Sequence, residues 1–213
     1  MIKCLIFDCD GTLVDSEYLC NLGLEIQLRN YGIESSANAM MKKYRGEKLA
    51  EILQSIEKEH NILLKDNFVA EYRELVDELF ENELNPCEGV LRFLSQNTLS
   101  ICVASSGPTK KINKALEITD LKKYFGENIF SSYEINSWKP NPYIFLYAAE
   151  KMGMNPDECL IIEDSIKGIE SGLAAGMKTI LFDPMNLFNN IIGVQKIDKM
   201  DKLKDIISAH NKT

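Results

Sequence analysis

Asp8 and Asp10 stand one residue apart where the apolar run CLIF (4–7) ends, inside the stretch MIKCLIFDCDGTLVDSE. Neighbouring carboxylates repel, and each loses hydration when drawn toward a buried strand. A pair so placed is explained by a metal ion, a shared proton or an incoming electrophile. Three later stretches carry complementary groups. Ser105 ends ICVAS and is followed by Ser106 and Gly107, Lys139 lies in WKPNP, and Glu163, Asp164 and Ser165 close CLIIEDS. Carboxylates in this set suit Mg²⁺, while hydroxyl, ammonium and backbone N–H groups suit phosphoryl oxygens. Singly, each group has a plainer reading. An Asp-Gly after a strand is often a turn, Ser105 a helix-start cap, Glu163 and Asp164 first-turn acids, and Lys139 a solvated charge. The chemical reading rests on their coincidence at the ends of successive apolar runs.

Those runs are the elements that must position the groups. CLIF (4–7), ICVAS (101–105), NIFSS (128–132), CLIIE (159–163) and TILF (179–182) are continuous rather than alternating, as in parallel strands buried on both faces. Helical patterns fall between them: GVLRFLSQN, TKKINKALEI after Pro108, YIFLYAAEKM after Pro142, and IKGIESGLAAGM after Ser165. Strand and helix in alternation predict an α/β fold with a Rossmann-like open parallel sheet, in which ligands bind beyond the carboxyl ends of the strands. From 15 to 85 the rhythm breaks. EYLCNLGLEIQLRNY, EKLAEILQSIEKEH and DNFVAEYRELVDELFENEL read as amphipathic helices with no strand among them, too long a stretch for a plain connection. The expectation is a core domain of residues 1–14 and 86–213, with a helical cap domain, 15–85, inserted after the first strand. Beyond Pro184 the chain reads as an outer loop, a short apolar run and a final helix, DKLKDIISAH.

Composition narrows the classes. The 24 Lys and Arg against 32 Asp and Glu give a net charge of −8, which argues against a nucleic-acid polymer as partner. The six cysteines form no CxxC pair, and Cys4, Cys102 and Cys159 lie in apolar runs, so they read as small hydrophobes in a reducing compartment. Cys9 falls between the aspartates, facing away from both, and reads as structural. With only His60 and His210, a histidine zinc site or a Ser-His-Asp triad is not expected. Neither a membrane-length apolar stretch nor a signal-peptide pattern is evident, and a cytoplasmic protein is expected. Both a monomer and a homodimer are compatible with the sequence.

DCDGTLVDSE, VASSG, the lysine of WKPNP and IIEDSIKGIESGLAAGM together resemble the four motifs of the haloacid dehalogenase superfamily of phosphohydrolases, in order and spacing. The resemblance spans essentially the whole chain, and the insert resembles that superfamily's small helical cap. Within it, FDCDGTLVDSE and SWKPNP are similar to bacterial sugar-phosphate phosphatases of the kind acting on 6-phosphogluconate. The resemblance implies a Mg²⁺-dependent phosphomonoester hydrolase acting on a small phosphorylated metabolite through an aspartyl-phosphate. It implies Asp8 as nucleophile and Asp10 as general acid and then base. Ser105 and Ser106, with Gly11, Thr12 and Lys139, would bind the phosphate. Asp8, Asp164, Glu163 (directly or through water) and the Asp10 carbonyl would hold the metal.

Specificity is then expected from the cap, with Glu17 at its first helix and Arg45 and Lys48 in the YRGEK turn (44–48) as the residues to reach a leaving group. Each reads equally well as a solvated helix-start charge. A dehalogenase is disfavoured because such enzymes lack the second aspartate and need no Mg²⁺. A β-phosphoglucomutase-like phosphomutase shares all four motifs, and only Thr12 after Asp-Gly speaks modestly against it. A non-catalytic phosphometabolite-binding module would have lost one of these acids first.

Overall fold

The computed structural model describes residues 1–212. The chain enters with β1 (Cys4–Phe7), four residues buried on both faces. Four helices follow: α1 (Glu17–Arg29), α2 (Ala37–Tyr44), α3 (Leu49–His60) and α4 (Phe68–Glu83). Then come α5 (Val90–Gln96), β2 (Ser100–Ser105), α6 (Thr109–Ile118), α7 (Lys122–Phe125), β3 (Ile129–Ser131), α8 (Ser132–Ile135) and α9 (Tyr143–Lys151). The last elements are β4 (Cys159–Glu163), α10 (Ile166–Ala174), β5 (Lys178–Phe182), β6 (Gln195–Ile197) and α11 (Leu203–Lys212).

Contacts divide the chain into two units, Asp15–Asn85 on one side and Met1–Val14 with the chain from Pro86 onward on the other. In the first, α1 packs on α2 and α4. Gly23 allows the close approach of α1 to α4, because a Cβ there would lie 2.8 Å from Val76 Cγ2. The buried set Ala37, Met40, Met41 and Tyr44 is the i, i+3, i+4, i+7 stripe of α2.

The second unit is a six-stranded sheet in the order β3-β2-β1-β4-β5-β6, every pair parallel. This is the doubly wound arrangement expected from the continuous apolar runs. β1 lies centrally, with Cys4 beside both Ser100 and Cys159. The strand order reverses between β1 and β4, and a crevice opens at the carboxyl ends at such a point. One face of the sheet carries Ile6, Cys102, Ala104 and Ile161 against Ile144, Phe145, Ala148 and Ala149 of α9. Phe7 packs edge-on against Phe93 and Phe125, with centroids 6.1 and 6.2 Å away. α10 ends in a Schellman turn, with Gly176 at φ +70° and Met177 N–H donating to Gly172 O at 3.2 Å. No helix among the described residues is long and apolar enough to cross a membrane.

Two local expectations need correction. NIFSS is strand only over Ile129–Ser131, because the Ser131 hydroxyl accepts the Tyr133 N–H at 3.1 Å and starts α8. Between the outer loop and the final helix expected after Pro184, the structure places an edge strand, β6, which the sequence reading did not assign.

Candidate active site

The turn after β1 is built on one carbonyl. Cys9 O accepts the N–H groups of Thr12, Leu13 and Val14 at 3.3, 2.9 and 3.1 Å. Gly11 sits at φ +75°, where a side chain would be strained, and its N–H donates to Val14 O at 2.9 Å. Asp8 N–H donates to Ile162 O at 2.9 Å, which ties the start of this turn to β4. Thr12 is wholly buried, and its Oγ1 has no hydrogen-bond partner among the described residues. Cys9 is buried as well.

Lys139 bridges the ends of β1 and β4. Its ammonium donates to Asp8 Oδ1 at 2.5 Å and to Glu163 Oε1 at 2.7 Å, with side-chain exposures of 5%, 9% and 1% for the three groups. The Phe145 ring lies 4.8 Å from the ammonium. The peptide from Lys139 to Pro140 is cis. Glu163 is held at its other oxygen, Oε2, by the Ser165 N–H at 2.7 Å and the Ser165 hydroxyl at 2.9 Å. That hydroxyl also accepts the Gly168 N–H at 3.1 Å as the N-cap of α10. The carboxylate occupies the space a side chain at 168 would need, since a Cβ there would fall 1.8 Å from Glu163 Oε1.

The end of β2 brings Ser105, buried, whose Oγ accepts the Gly107 N–H at 3.1 Å and keeps its own proton for donation. Gly107 O accepts the Ser131 hydroxyl at 2.6 Å, so β3 steadies this turn. Ser106 is half-buried. From α6, Lys111 reaches Asp10 and lies 2.8 Å from each carboxylate oxygen.

Asp8, Glu163 and Asp164 are buried, and each offers an oxygen within 4.8 Å of the others'. Burial pushes the Asp8 carboxyl up to about 8, with Glu163 and Asp10 adding to the rise and Lys139 opposing it. One buried ammonium thus leaves this oxygen cluster with surplus negative charge. Three hard carboxylate donors with that surplus fit a divalent cation such as those bound through oxygen. The Asp10 side chain is outside this cluster, engaged by Lys111.

The structure therefore brings Asp8, Lys139, Glu163 and Asp164 together, with Gly11 and Thr12 in the turn after β1 and Ser105 at the end of β2. Glu17 opens α1, Arg45 follows α2 and Lys48 precedes α3, all three in the helical unit and half-buried. Sequence reasoning missed Lys111 and the cradle for Glu163 formed by Ser165 and Gly168. A lysine in the first turn of a helix, where the dipole disfavours a cation, was the available signal for Lys111.

The haloacid dehalogenase-like hydrolase family matches residues 5–182. The 6-phosphogluconate phosphatase of Escherichia coli K12 is 37% identical over 188 residues, covering 87% of this chain and 85% of that protein. A phosphoglycolate phosphatase of Aquifex aeolicus is 30% identical over 187 residues, covering 84% of each. Among solved structures, a haloacid dehalogenase-like protein of unknown function from Agrobacterium tumefaciens superposes with a TM-score of 0.85 at 30% identity, covering 99% of this chain and 100% of that one.

Proposed function

This chain belongs to the haloacid dehalogenase-like hydrolases, and from that premise we propose that it hydrolyses a small sugar phosphate or sugar-acid phosphate, 6-phosphogluconate foremost, with Mg²⁺ as cofactor. It is a phosphatase of the aspartate-nucleophile type. The observation that carries the reading is the Lys139 bridge from Asp8 to Glu163, set within the Asp8, Glu163 and Asp164 cluster. The identity with the Escherichia coli enzyme supports the substrate.

Asp8 is the nucleophile. Its carboxylate oxygen forms a bond to phosphorus while the ester P–O bond breaks, and the departing oxygen keeps the electron pair and takes a proton from Asp10. Asp10, now ionised, removes a proton from water as that water attacks the aspartyl-phosphate. The P–O bond to Asp8 then breaks and inorganic phosphate leaves. The Ser105 hydroxyl, with Ser106, Thr12 and Gly11 of the neighbouring turns, holds phosphoryl oxygens. Lys139 balances charge between nucleophile and phosphate, so that anion can approach anion. The side chains of Asp8 and Asp164, Glu163 directly or through water, and the carbonyl of Asp10 would hold Mg²⁺. When bound, the ion supplies the positive charge that keeps Asp8 ionised and draws a phosphate dianion to it.

The test is phosphate release from 6-phosphogluconate, hexose and pentose phosphates, phosphoglycolate and nucleoside monophosphates, with and without Mg²⁺, beside Asp8→Asn. Release that needs Mg²⁺, is lost in Asp8→Asn and is strongest on 6-phosphogluconate supports the proposal. Preference for another class overturns the substrate, and an isomerised sugar phosphate without free phosphate overturns hydrolysis.

A further inference from the structure

Lys111 is the third residue of α6, in the turn where a cation opposes the helix dipole. Its neighbour Lys110 is exposed, the ordinary fate of such a lysine. Lys111 instead keeps only 26% of its side chain accessible and sets its ammonium 2.8 Å from both oxygens of Asp10, itself 22% accessible. The base of α6 from which its stem springs is fixed on three sides. The Gly107 N–H donates to Ser105 Oγ at 3.1 Å, the Ser131 hydroxyl to Gly107 O at 2.6 Å, and the Thr109 hydroxyl to Glu134 Oε1 at 2.7 Å. An ammonium anchored in this way and equidistant from both oxygens restrains rotation of the carboxylate. Each carboxylate oxygen has a second lone-pair direction, along which a proton can pass to or from a reacting oxygen.

We propose that Lys111 is the positioning residue for Asp10: it holds the carboxylate in the orientation from which the proton is delivered to the leaving oxygen. The inference rests on the reading of Asp10 as the acid and base of the proposed phosphatase. It assigns Lys111 no contact with the phosphate.

A group that acts only by aiming a proton matters in proportion to how much the leaving oxygen needs one. The experiment therefore compares kcat/KM, which covers the steps up to departure of the leaving group, for two esters. One is the alkyl phosphate that the wild-type enzyme hydrolyses best; the other is p-nitrophenyl phosphate, whose phenolate departs without a proton. In Lys111→Met, which preserves the stem, the alkyl ester should lose about 10- to 100-fold, part of the span that general acid catalysis supplies, and the aryl ester less than about threefold. Turnover of the aryl ester also shows that the variant is folded. Lys111→Arg, which restores a cation at the carboxylate, should recover part of the alkyl loss. Equal losses on both esters, or no loss on either, would overturn the assignment. Asp10→Asn separates the two readings. If it spares the alkyl ester, the acid–base role of Asp10 falls and the inference with it. If it abolishes alkyl turnover while Lys111→Met does not, the inference alone falls.

Discussion

Gly168→Ala sets two opposed effects against each other. Alanine in place of glycine inside α10 should stabilise the helix by about 1 kcal/mol. The new Cβ, however, would lie 1.8 Å from Glu163 Oε1, 1.9 Å from Cδ and 2.3 Å from Oε2. Those atoms end a flexible side chain, yet this one is only 1% exposed and is tied to Lys139 at 2.7 Å and to Ser165 at 2.7 and 2.9 Å. The carboxylate must move, and the bond from Lys139 to Oε1 is the first to go. A hydrogen bond to a charged group contributes about 1.5–3 kcal/mol, and stripping a buried charge of its partner costs about 3–5 kcal/mol. With the helical gain subtracted from that cost, the net loss should be about 2–4 kcal/mol, or about 4–16 °C in Tm for a chain of this size. Calorimetry of the metal-free protein measures it, and titration with Mg²⁺ should show weakened binding because Glu163 is displaced. The same substitution made on a Glu163→Ala background meets no carboxylate and should be neutral or stabilising, so the coupling in the double-mutant cycle should be at least about 2 kcal/mol. A rise in Tm in the parent, or an equal loss on both backgrounds, would refute the reasoning.

Two further outcomes follow from the same site. Lys139→Ala leaves Asp8 and Glu163 facing each other without their shared cation, and the metal-free protein should lose about 3–5 kcal/mol. Chemical denaturation checks this, and a loss below 1 kcal/mol, the range of exposed pairs, would contradict the buried bridge. The pH dependence follows from Asp8, whose carboxyl is pushed up to about 8 by burial and by the neighbouring acids. Between the ordinary carboxylate range near 4 and that value, the folded metal-free protein holds a proton that the unfolded chain lacks. This group's contribution to stability is therefore complete below about 4 and declines as pH rises toward 8. Because the metal takes the carboxylate, Mg²⁺ affinity should rise over the same interval, with release of close to one proton at pH 7. Calorimetric titration in buffers of different ionisation enthalpy counts that proton, and a count of zero would show that Asp8 is already ionised.

What could be read in the sequence divides along a physical line. Five strands were legible because their buried stretches read as largely continuous apolar runs, most completely in β1 and β4, which are buried throughout. β6 was not, since QKI carries a single buried apolar residue, Ile197, and exists by pairing at the edge with β5. α2 was overlooked despite its buried stripe, because eight residues between Ser-Ser and Arg-Gly give little length over which to see a period. In the site, Asp8, Ser105, Glu163 and Asp164 were legible as candidates at or just beyond strand ends, where sheet topology alone makes neighbours of distant residues, and Lys139 as one in WKPNP, although α8 separates it from β3. Lys111 and Gly168 were not, because their meaning depends on which carboxylate a helix sets beside them. Lys111 acts 101 positions away from Asp10, and Gly168 matters through the side chain it does not have.

The place of β1 at the middle of the sheet also governs the order in which the enzyme comes into being on the ribosome. CLIF is translated before its hydrogen-bonding neighbours β2 and β4, which begin at Ser100 and Cys159. At roughly 5–20 residues per second, about 8 to 30 seconds separate β1 from β4. Through that interval the β4 edge of an apolar strand must remain unpaired while residues 15–85, a unit of helices with its own buried side chains, are already complete. Such long-range closure makes for slow folding and for exposure to chaperones. It also means that a nascent chain has no partial activity: Asp8 meets Glu163 and Asp164 only when the central strand acquires its second neighbour.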